Sequence, residues 1–213
     1  PTLRPSYLRF LGRSQTAEER LHFQALTSAK LAEYWRRIGA AGFSPFCALG
    51  SYEDGNHWFL GPLKEGDPKP VWASLATAFS PRSVSLEIWD RNYFPHQTIQ
   101  LPVYLFNDEA DPSEFNIDLS IMKPTGEVMS SQTFTYDVEG YQTKIEQVSL
   151  GLPSDEGDYI IKARLLNPPS KVKHPVFSDW KIRVFKAEVP AKIATMKIGV
   201  PEYESELRAF FKD

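Results

Sequence analysis

The sequence predicts a chain in two parts, an α/β segment over the first third and an all-β sandwich over most of the rest, followed by a short strand–helix tail. Two observations predict this division. Apolar residues recur at helical spacing before about residue 80, and from Ser83 onward they alternate with polar residues. Turn residues then separate about seven short strands, which is typical of an antiparallel sandwich of immunoglobulin type.

The most clearly marked element of the first part is a helix over residues 17–39. Thr16 and Glu19 match a capping box, and Gly39 supplies a stop signal. The apolar positions that form one stripe at helical spacing are Leu21, Ala25, Leu26, Ala29, Ala32, Trp35 and Ile38. A second helix is predicted to begin near Pro70 and to end at Ser80-Pro81.

Between these helices lies an apolar run over residues 43–49, followed by an irregular stretch over residues 50–70. Such a run predicts a buried strand of a parallel sheet. The order helix, buried strand, long loop, helix is that of the closing turn of a (β/α)8 barrel. We therefore expect the last strand and helices of such a barrel in residues 1–81.

The second part, residues 82–188, carries the sandwich pattern. Its predicted strands cover residues 84–88, 98–106, 115–122, 128–136, 144–150, 158–166 and 180–185. Tyr159 follows Gly157 at the start of one strand and is a candidate for a tyrosine corner. Residues 189–213 form the predicted strand–helix tail, which either docks on the sandwich or begins another domain.

Composition narrows the function classes. The chain has 24 Lys+Arg against 27 Asp+Glu, a net charge of −3, which argues against binding to nucleic acid or an anionic membrane through bulk charge. No apolar run approaches the roughly 20 residues of a membrane-spanning helix. Cys47 is the single cysteine and no histidine spacing suggests a metal site, so we expect no intrachain disulfide, metal or cofactor.

Several short motifs, taken in order, resemble the glycoside hydrolase family 2 group, which includes the β-galactosidases, β-glucuronidases and β-mannosidases. The motifs are Phe23-Gln24-Ala25, Ala41-Gly42-Phe43, Pro68-Lys69-Pro70-Val71-Trp72, Phe79-Ser80-Pro81, Asp90-Arg91-Asn92-Tyr93-Phe94 and Leu101-Pro102-Val103-Tyr104. The resemblance implies the end of the barrel followed by its immunoglobulin-like sandwich. It also implies a retaining enzyme that acts on β-linked glycosides with two glutamates.

Neither of those glutamates has a counterpart here, because the barrel strands that carry them would precede residue 17. The resemblance therefore implies that Pro1 is a cut end, that the chain is the C-terminal portion of a glycosidase, and that it is inactive alone. Its expected partners are a β-linked glycoside and the remainder of the barrel. A secreted or periplasmic location follows from the resemblance only.

The loop after the predicted barrel strand concentrates the candidate site residues, because barrel active sites lie at the carboxyl ends of the strands. The candidate substrate-binding residues are Tyr52, Glu53, Asp54, Asn56, His57 and Trp58. Trp58 leads because aromatic faces pack on sugar rings, although packing within the loop also explains it. Glu53 and Asp54 are adjacent and point to opposite sides of an extended segment, so we predict no catalytic pair.

A different class of function fits the same residues. The chain is then a non-catalytic carbohydrate-binding or structural β-sandwich module. The aromatic residues of the sandwich are interpreted first as core and cross-strand packing, and otherwise as a sugar-binding platform. They are Trp89, Tyr93, Phe94, Tyr104 and Phe106.

Overall fold

The computed structural model describes residues 8, 15–45, 58–61 and 65–186. Ahead of the sandwich it contains the helices α1 (Ala17–Arg37) and α2 (Val71–Ala78) and a hairpin of β1 (Phe59–Leu60) and β2 (Asp67–Pro68). Residues 46–57 and the tail predicted at 189–213 lie outside the described residues. The predicted domain boundaries, at residues 81 and 188, stay predictions.

The predicted start of α1 is confirmed by its capping box. The Thr16 hydroxyl accepts a hydrogen bond from the Glu19 amide at 3.1 Å, and the Glu19 carboxylate accepts one from the Thr16 amide at 2.8 Å. These bonds satisfy amides that a helix leaves unpaired at its first turn. Gly39, just beyond the helix, has φ +72°, a left-handed conformation that ends helices readily because glycine has no Cβ.

Eight strands follow α2 in the described chain. They are β3 (Arg82–Leu86), β4 (Asn92–Tyr93), β5 (Thr98–Asn107), β6 (Ser113–Met122), β7 (Val128–Val138), β8 (Gln142–Gly151), β9 (Gly157–Leu165) and β10 (Val176–Val184). Seven of them lie where the alternating pattern predicts strands. The short β4 lies between the predicted strands over residues 84–88 and 98–106, where the sequence pattern predicts no strand.

These strands form two sheets, ordered β4-β10-β9-β6-β7 and β3-β5-β8. All neighbours are antiparallel except β4, which pairs parallel to β10. The prediction of a mainly β sandwich is therefore confirmed. The edge strand β3 of the smaller sheet lies beside β10 of the larger one, and α1 rests on this seam.

The core of the sandwich comes from alternating positions on facing strands, as the sequence pattern predicts. The central positions include Leu101 and Leu105 of β5, Ile117 of β6 and Ile161 of β9, all at most 1% exposed. A separate small cluster joins α1 and α2 through Ala25, Ala32, Val71, Leu75 and Ala78. The helices thus form their own apolar layer beside the sandwich.

The predicted tyrosine corner is also confirmed. Tyr159 is 2% exposed, and its hydroxyl donates a hydrogen bond to the Asp155 carbonyl oxygen at 3.0 Å. A buried tyrosine needs such a partner for its polar tip. The bond ties the turn before β9 to the strand itself, which is the arrangement found in immunoglobulin-like sandwiches.

The barrel prediction and the family 2 resemblance are wrong. Residues 43–45 are not in a strand, and the strands described ahead of residue 80 are the short antiparallel pair β1 and β2. The fold is mainly β with two described helices, and α1 packs on α2 and on β3 and β10 rather than on a parallel strand. The motifs misled because each is short and fits more than one fold: Phe23-Gln24-Ala25 lies in α1, and Leu101-Pro102-Val103-Tyr104 lies in β5. Within the described residues, neither helix is long and apolar enough to cross a membrane.

Candidate functional site

The contact between α1 and the sandwich is charged rather than apolar. Of the predicted apolar stripe, Ala25 and Ala32 are buried, whereas Leu26 and Ile38 are 49% and 53% exposed. The side chains that meet the sandwich are polar, and we name this set the polar clasp. It consists of Lys30, Glu33, Arg36 and Arg37 of α1 with Ser83, Ser85 and Ser178 of the sandwich.

Glu33 is the centre of the polar clasp and is 5% exposed. One carboxylate oxygen, Oε1, accepts a hydrogen bond from Lys30 Nζ at 2.9 Å. The other, Oε2, accepts from the Ser85 hydroxyl at 2.7 Å and from the Ser178 hydroxyl at 2.6 Å. A buried carboxylate is tolerated only with such partners, since its desolvation is costly. Oε2 thus fixes α1 on the sheets, and Oε1 is held by Lys30 of the same helix.

The hydroxyl protons of the two serines have only one consistent placement. Ser178 Oγ also receives hydrogen bonds from the Leu86 amide at 3.1 Å and from Lys30 Nζ at 3.2 Å, and these groups only donate. Ser85 Oγ likewise receives one from Arg37 Nη1 at 2.7 Å. Each hydroxyl must therefore donate its single proton to Glu33, and Ser178 uses its full hydrogen-bonding capacity.

Arg36 extends the polar clasp to the end of α2. Its Nη1 donates to the carbonyl oxygens of Ala78 and Ser80 at 2.7 and 3.1 Å and to Ser83 Oγ at 2.8 Å. Its Nη2 donates to Asp108 at 2.7 Å. Burial lowers the pKa of Arg36, and the opposing attraction of Asp108 offsets part of that effect. Arg36 thereby links α1, α2 and the sandwich.

An open groove of about 1080 Å³ runs beside the polar clasp, between α1 and the sandwich; we name it the α1 groove. One wall is α1, and the other comes from the β3–β4 connection and from β9 and β10. Characteristic lining residues are His22, Tyr34, Trp89, Arg91, Trp180 and Lys181. The lining also includes Phe23, Leu26, Leu31 and Ile160, so the groove is largely apolar with a few charged and polar groups.

Trp89 is the most exposed aromatic side chain of the α1 groove, at 69%. Its indole Nε1 donates to Glu87 Oε1 at 3.0 Å, and Glu87 Oε2 accepts from the Tyr104 hydroxyl at 2.7 Å. Burial raises the pKa of Tyr104, and its bond to Glu87 raises it further, so this hydroxyl keeps its proton at neutral pH. The ring is thus held by its edge while most of its surface faces solvent.

Trp180, which also lines the α1 groove, contacts two cationic side chains. Its Nε1 donates to the Leu86 carbonyl oxygen at 2.9 Å, and it lies against two cations. Lys30 Nζ is 4.5 Å and Arg91 Cζ is 4.0 Å from the ring centroid, both within the range of cation–π attraction. Partial burial lowers the pKa of Arg91. Trp180 therefore positions cations at the groove.

The predicted site residues are placed only in part. Trp58 is 7% exposed, with its ring centroid 5.2 Å from that of Trp72 in an edge-on arrangement. The other five, Tyr52, Glu53, Asp54, Asn56 and His57, lie outside the described residues. A sugar contact by this set stays a prediction, as do the expected partners, a β-linked glycoside and the remainder of a barrel.

The sandwich aromatics divide between core and surface. Tyr93 and Phe106 are 8% and 3% exposed, in line with core packing, whereas Trp89 and Phe94 are 69% and 51% exposed. Sequence alternation placed Trp89 on the polar face with Ser85 and Glu87, but Ser85 is 0% exposed, so alternation alone did not predict the exposure of Trp89. Among the described residues, no group of three His, Cys, Asp or Glu side chains is arranged to hold a metal ion.

Comparison with known proteins shows no family assignment. No family model matches the chain, and no curated protein matches it. Among solved structures, one match is the CARDB domain of a Pyrococcus furiosus protein, determined in complex with di-metal ions. The match covers 49% of this chain and 87% of the CARDB chain, at 13% sequence identity and a TM-score of 0.40.

Two further matches are of the same kind. The Bacillus subtilis sporulation control protein Spo0M matches 49% of this chain and 49% of its own, at 15% identity and a TM-score of 0.37. Red sea bream transglutaminase matches 51% of this chain and 17% of its own, at 14% identity and a TM-score of 0.39. These partial likenesses give the family 2 assignment no support.

Proposed function

We propose that the chain is a non-catalytic β-sandwich module that binds a carbohydrate in the α1 groove. The observation that carries the proposal is Trp89, a large aromatic ring that is 69% exposed and held at the groove by its hydrogen bond to Glu87. Apolar C–H faces of sugars pack on such rings. A ring that is already oriented loses little conformational entropy when it binds.

The remaining lining supplies the polar contacts that a sugar needs. His22, Tyr34 and Arg91 bring hydrogen-bonding groups to the same groove. Sugar hydroxyls both donate and accept hydrogen bonds, so these few polar groups can meet them, while the largely apolar remainder of the lining suits the C–H faces of the rings. An open groove, rather than a closed cavity, admits a chain of sugar units.

The polar clasp supports the non-catalytic part of the proposal. Glu33, a buried carboxylate, has its two oxygens bonded to Lys30, Ser85 and Ser178. It serves the attachment of α1, and the attachment in turn keeps the wall of the groove in place. A pre-formed wall favours binding because the protein need not be ordered by the ligand.

The test is a glycan array probed with the full 213-residue chain, followed by calorimetric titration of the best ligand. Trp89→Ala should weaken binding about fivefold or more, since the loss of the aromatic ring that packs on the sugar is worth about 1 kcal/mol. The matched control is Tyr141→Asn, which removes a 75% exposed aromatic outside the groove at a residue with φ 54° that asparagine accepts.

Each outcome separates the proposal from its competitors. Binding that is lost in Trp89→Ala and kept in Tyr141→Asn supports the α1 groove. Binding that survives Trp89→Ala but is lost in Trp58→Phe moves the site to the predicted loop and refutes the groove. If no glycan binds, the carbohydrate proposal fails and a purely structural module takes its place.

A further inference from the structure

The α1 groove has a charge that differs in sign from that of the chain. Four cationic side chains line it, Lys30, Arg37, Arg91 and Lys181, whereas the whole chain has a net charge of −3. Two carboxylates, Glu19 and Asp179, also line it. The groove is therefore locally positive, and such a concave surface attracts anionic ligands.

The cations divide into two pairs by what they already contact. Lys30 lies 2.9 Å and Arg37 lies 3.9 Å from Glu33, so both are engaged in the polar clasp. Arg91 and Lys181 form no ion pair with any carboxylate of the described residues. Asp179 lies two positions from Lys181 on the same face of β10 and is not paired with it. These two cations are therefore available to a ligand.

The guanidinium of Arg91 is held against an aromatic ring. Its guanidinium lies over the Trp180 ring at 4.0 Å from the centroid, and its Nη1 donates a long hydrogen bond of 3.4 Å to the Lys181 carbonyl oxygen. Stacking on a ring fixes the plane of a guanidinium and leaves N–H groups at its edge. Such an edge binds a carboxylate through two parallel hydrogen bonds.

The positions of these cations indicate which class of sugar the α1 groove selects. Resting on the proposed carbohydrate function, we infer that the α1 groove selects sugars that carry a carboxylate, that is, uronic acid units. Arg91 binds the carboxylate, Lys181 adds a second positive charge, and Trp89, two residues before Arg91, packs on the ring of a sugar unit. Ile160, opposite Lys181 in the β9–β10 register, gives the floor an apolar contact.

The experiment compares acidic sugars with neutral copies of themselves. Tetrasaccharides of galacturonate, mannuronate and glucuronate are titrated into the full chain, each beside the same tetrasaccharide with its carboxylates reduced to alcohols. At least one uronate should bind about tenfold or more tightly than its reduced copy, because charge-assisted hydrogen bonds are lost on reduction. That preference should shrink at high ionic strength, where salt screens exposed charges.

Variants assign the preference to its residues. Arg91→Gln should lower uronate affinity about tenfold and leave the reduced sugar unaffected, and Arg91→Lys, which keeps the charge without the fork, should restore only part of it. The matched control is Arg183→Gln on β10, an exposed arginine outside the groove. Circular dichroism confirms that each variant is folded.

The failures are distinguishable. If a uronate and its reduced copy bind equally, or if only neutral glycans bind, the acidic selection is wrong while the carbohydrate function stands. If no acidic or neutral glycan binds, both proposals are wrong. If uronates bind preferentially but Arg91→Gln and Arg183→Gln behave alike, the site assigned to Arg91 is wrong.

Discussion

Removing the carboxylate of Glu33 should detach α1 from the sandwich, and this is the sharpest stability prediction that the structure makes. Glu33→Ala deletes the acceptor of three hydrogen bonds, from Lys30, Ser85 and Ser178. It also leaves Lys30, 14% exposed, without its partner, and Arg37, 5% exposed, without the nearest carboxylate. The change therefore leaves buried donors unsatisfied.

The size of the effect follows from these contacts. A hydrogen bond to a charged group contributes about 1.5–3 kcal/mol, and such bonds are not additive when they share one acceptor. Removing one partner of a buried ion pair costs about 3–5 kcal/mol. We expect Glu33→Ala to lower the free energy of unfolding by about 3–5 kcal/mol, which is a large share of the total stability of a typical domain.

Glu33→Gln should cost less, for a geometric reason. The amide oxygen can replace Oε2 and accept from Ser85 and Ser178, but the amide nitrogen then faces Lys30 Nζ, so two donors oppose each other. We expect a loss of about 1–3 kcal/mol, because Lys30 can turn its ammonium group toward solvent. The difference between the two variants measures what the serines contribute.

The assay is urea unfolding followed by circular dichroism, with Glu18→Ala as the matched control. Glu18 is an exposed glutamate in the first turn of α1, where only its attraction to the helix dipole is lost, about 0.3–1 kcal/mol. A double-mutant cycle with Ser178→Ala should give a coupling of about 1 kcal/mol or more. If Glu33→Ala costs no more than Glu18→Ala, the polar clasp does not hold α1 and the reasoning is refuted.

Three further predictions concern the sandwich. Tyr159→Phe removes the bond to the Asp155 carbonyl and should cost about 0.5–1.5 kcal/mol in urea unfolding, and no loss would contradict the corner's role. Gly140→Ala places a Cβ 1.9 Å from a backbone oxygen and should lower the free energy of unfolding by about 1–3 kcal/mol or more. Gly151→Ala, whose Cβ would have nothing within 4 Å, should change it little. Equal effects of the two variants would refute the close approach at Gly140. The pKa of Tyr104 is raised above its ordinary 10.0, so the folded state keeps this proton to higher pH than the unfolded state does. Stability should therefore fall as pH rises above 10.0. Tyr104→Phe should flatten that fall, and an unchanged pH profile of stability would contradict the prediction.

Most strands of the sandwich could be predicted from the sequence, because a strand buried on one face alternates apolar and polar residues with a period of two. In β5, Leu101, Val103 and Leu105 are buried while Pro102 and Tyr104 are partly exposed, so the alternation read from the sequence matches the burial. Tyr159 was also predictable, since its corner is a local motif. Local patterns fixed local structure reliably here.

The polar clasp could not be predicted from the same patterns. Glu33 and Ser178 are 145 residues apart in the chain, and nothing local shows that they meet. On a helix, Lys30, Glu33 and Arg37 look like a solvated face of mutual ion pairs, since their spacing favours such pairs. Only the docking of α1 on the seam between β3 and β10 turns that face inward.

The barrel error had a related cause. The run beginning at Phe43 is apolar, and an apolar run of that length is ambiguous between a buried strand and a packed loop. In the structure the ring of Phe43 stacks with those of Trp35 and Phe79, with 6.4 and 6.0 Å between the ring centroids. Its side chain therefore packs with the helices. For Phe43, the apolar character therefore reflects packing with the helices rather than with a sheet.

The central claim, that a sugar binds in the α1 groove, is tested most directly by following the indole N–H signals of the five tryptophans by NMR during a glycan titration. Trp89→Phe assigns the signal of Trp89, whose N–H bonds to Glu87. We expect the Trp89 signal to shift in proportion to ligand occupancy, while the signal of the buried Trp58 keeps its position. Shifts confined to Trp58 and its neighbour Trp72, with Trp89 unmoved at saturation, would contradict it.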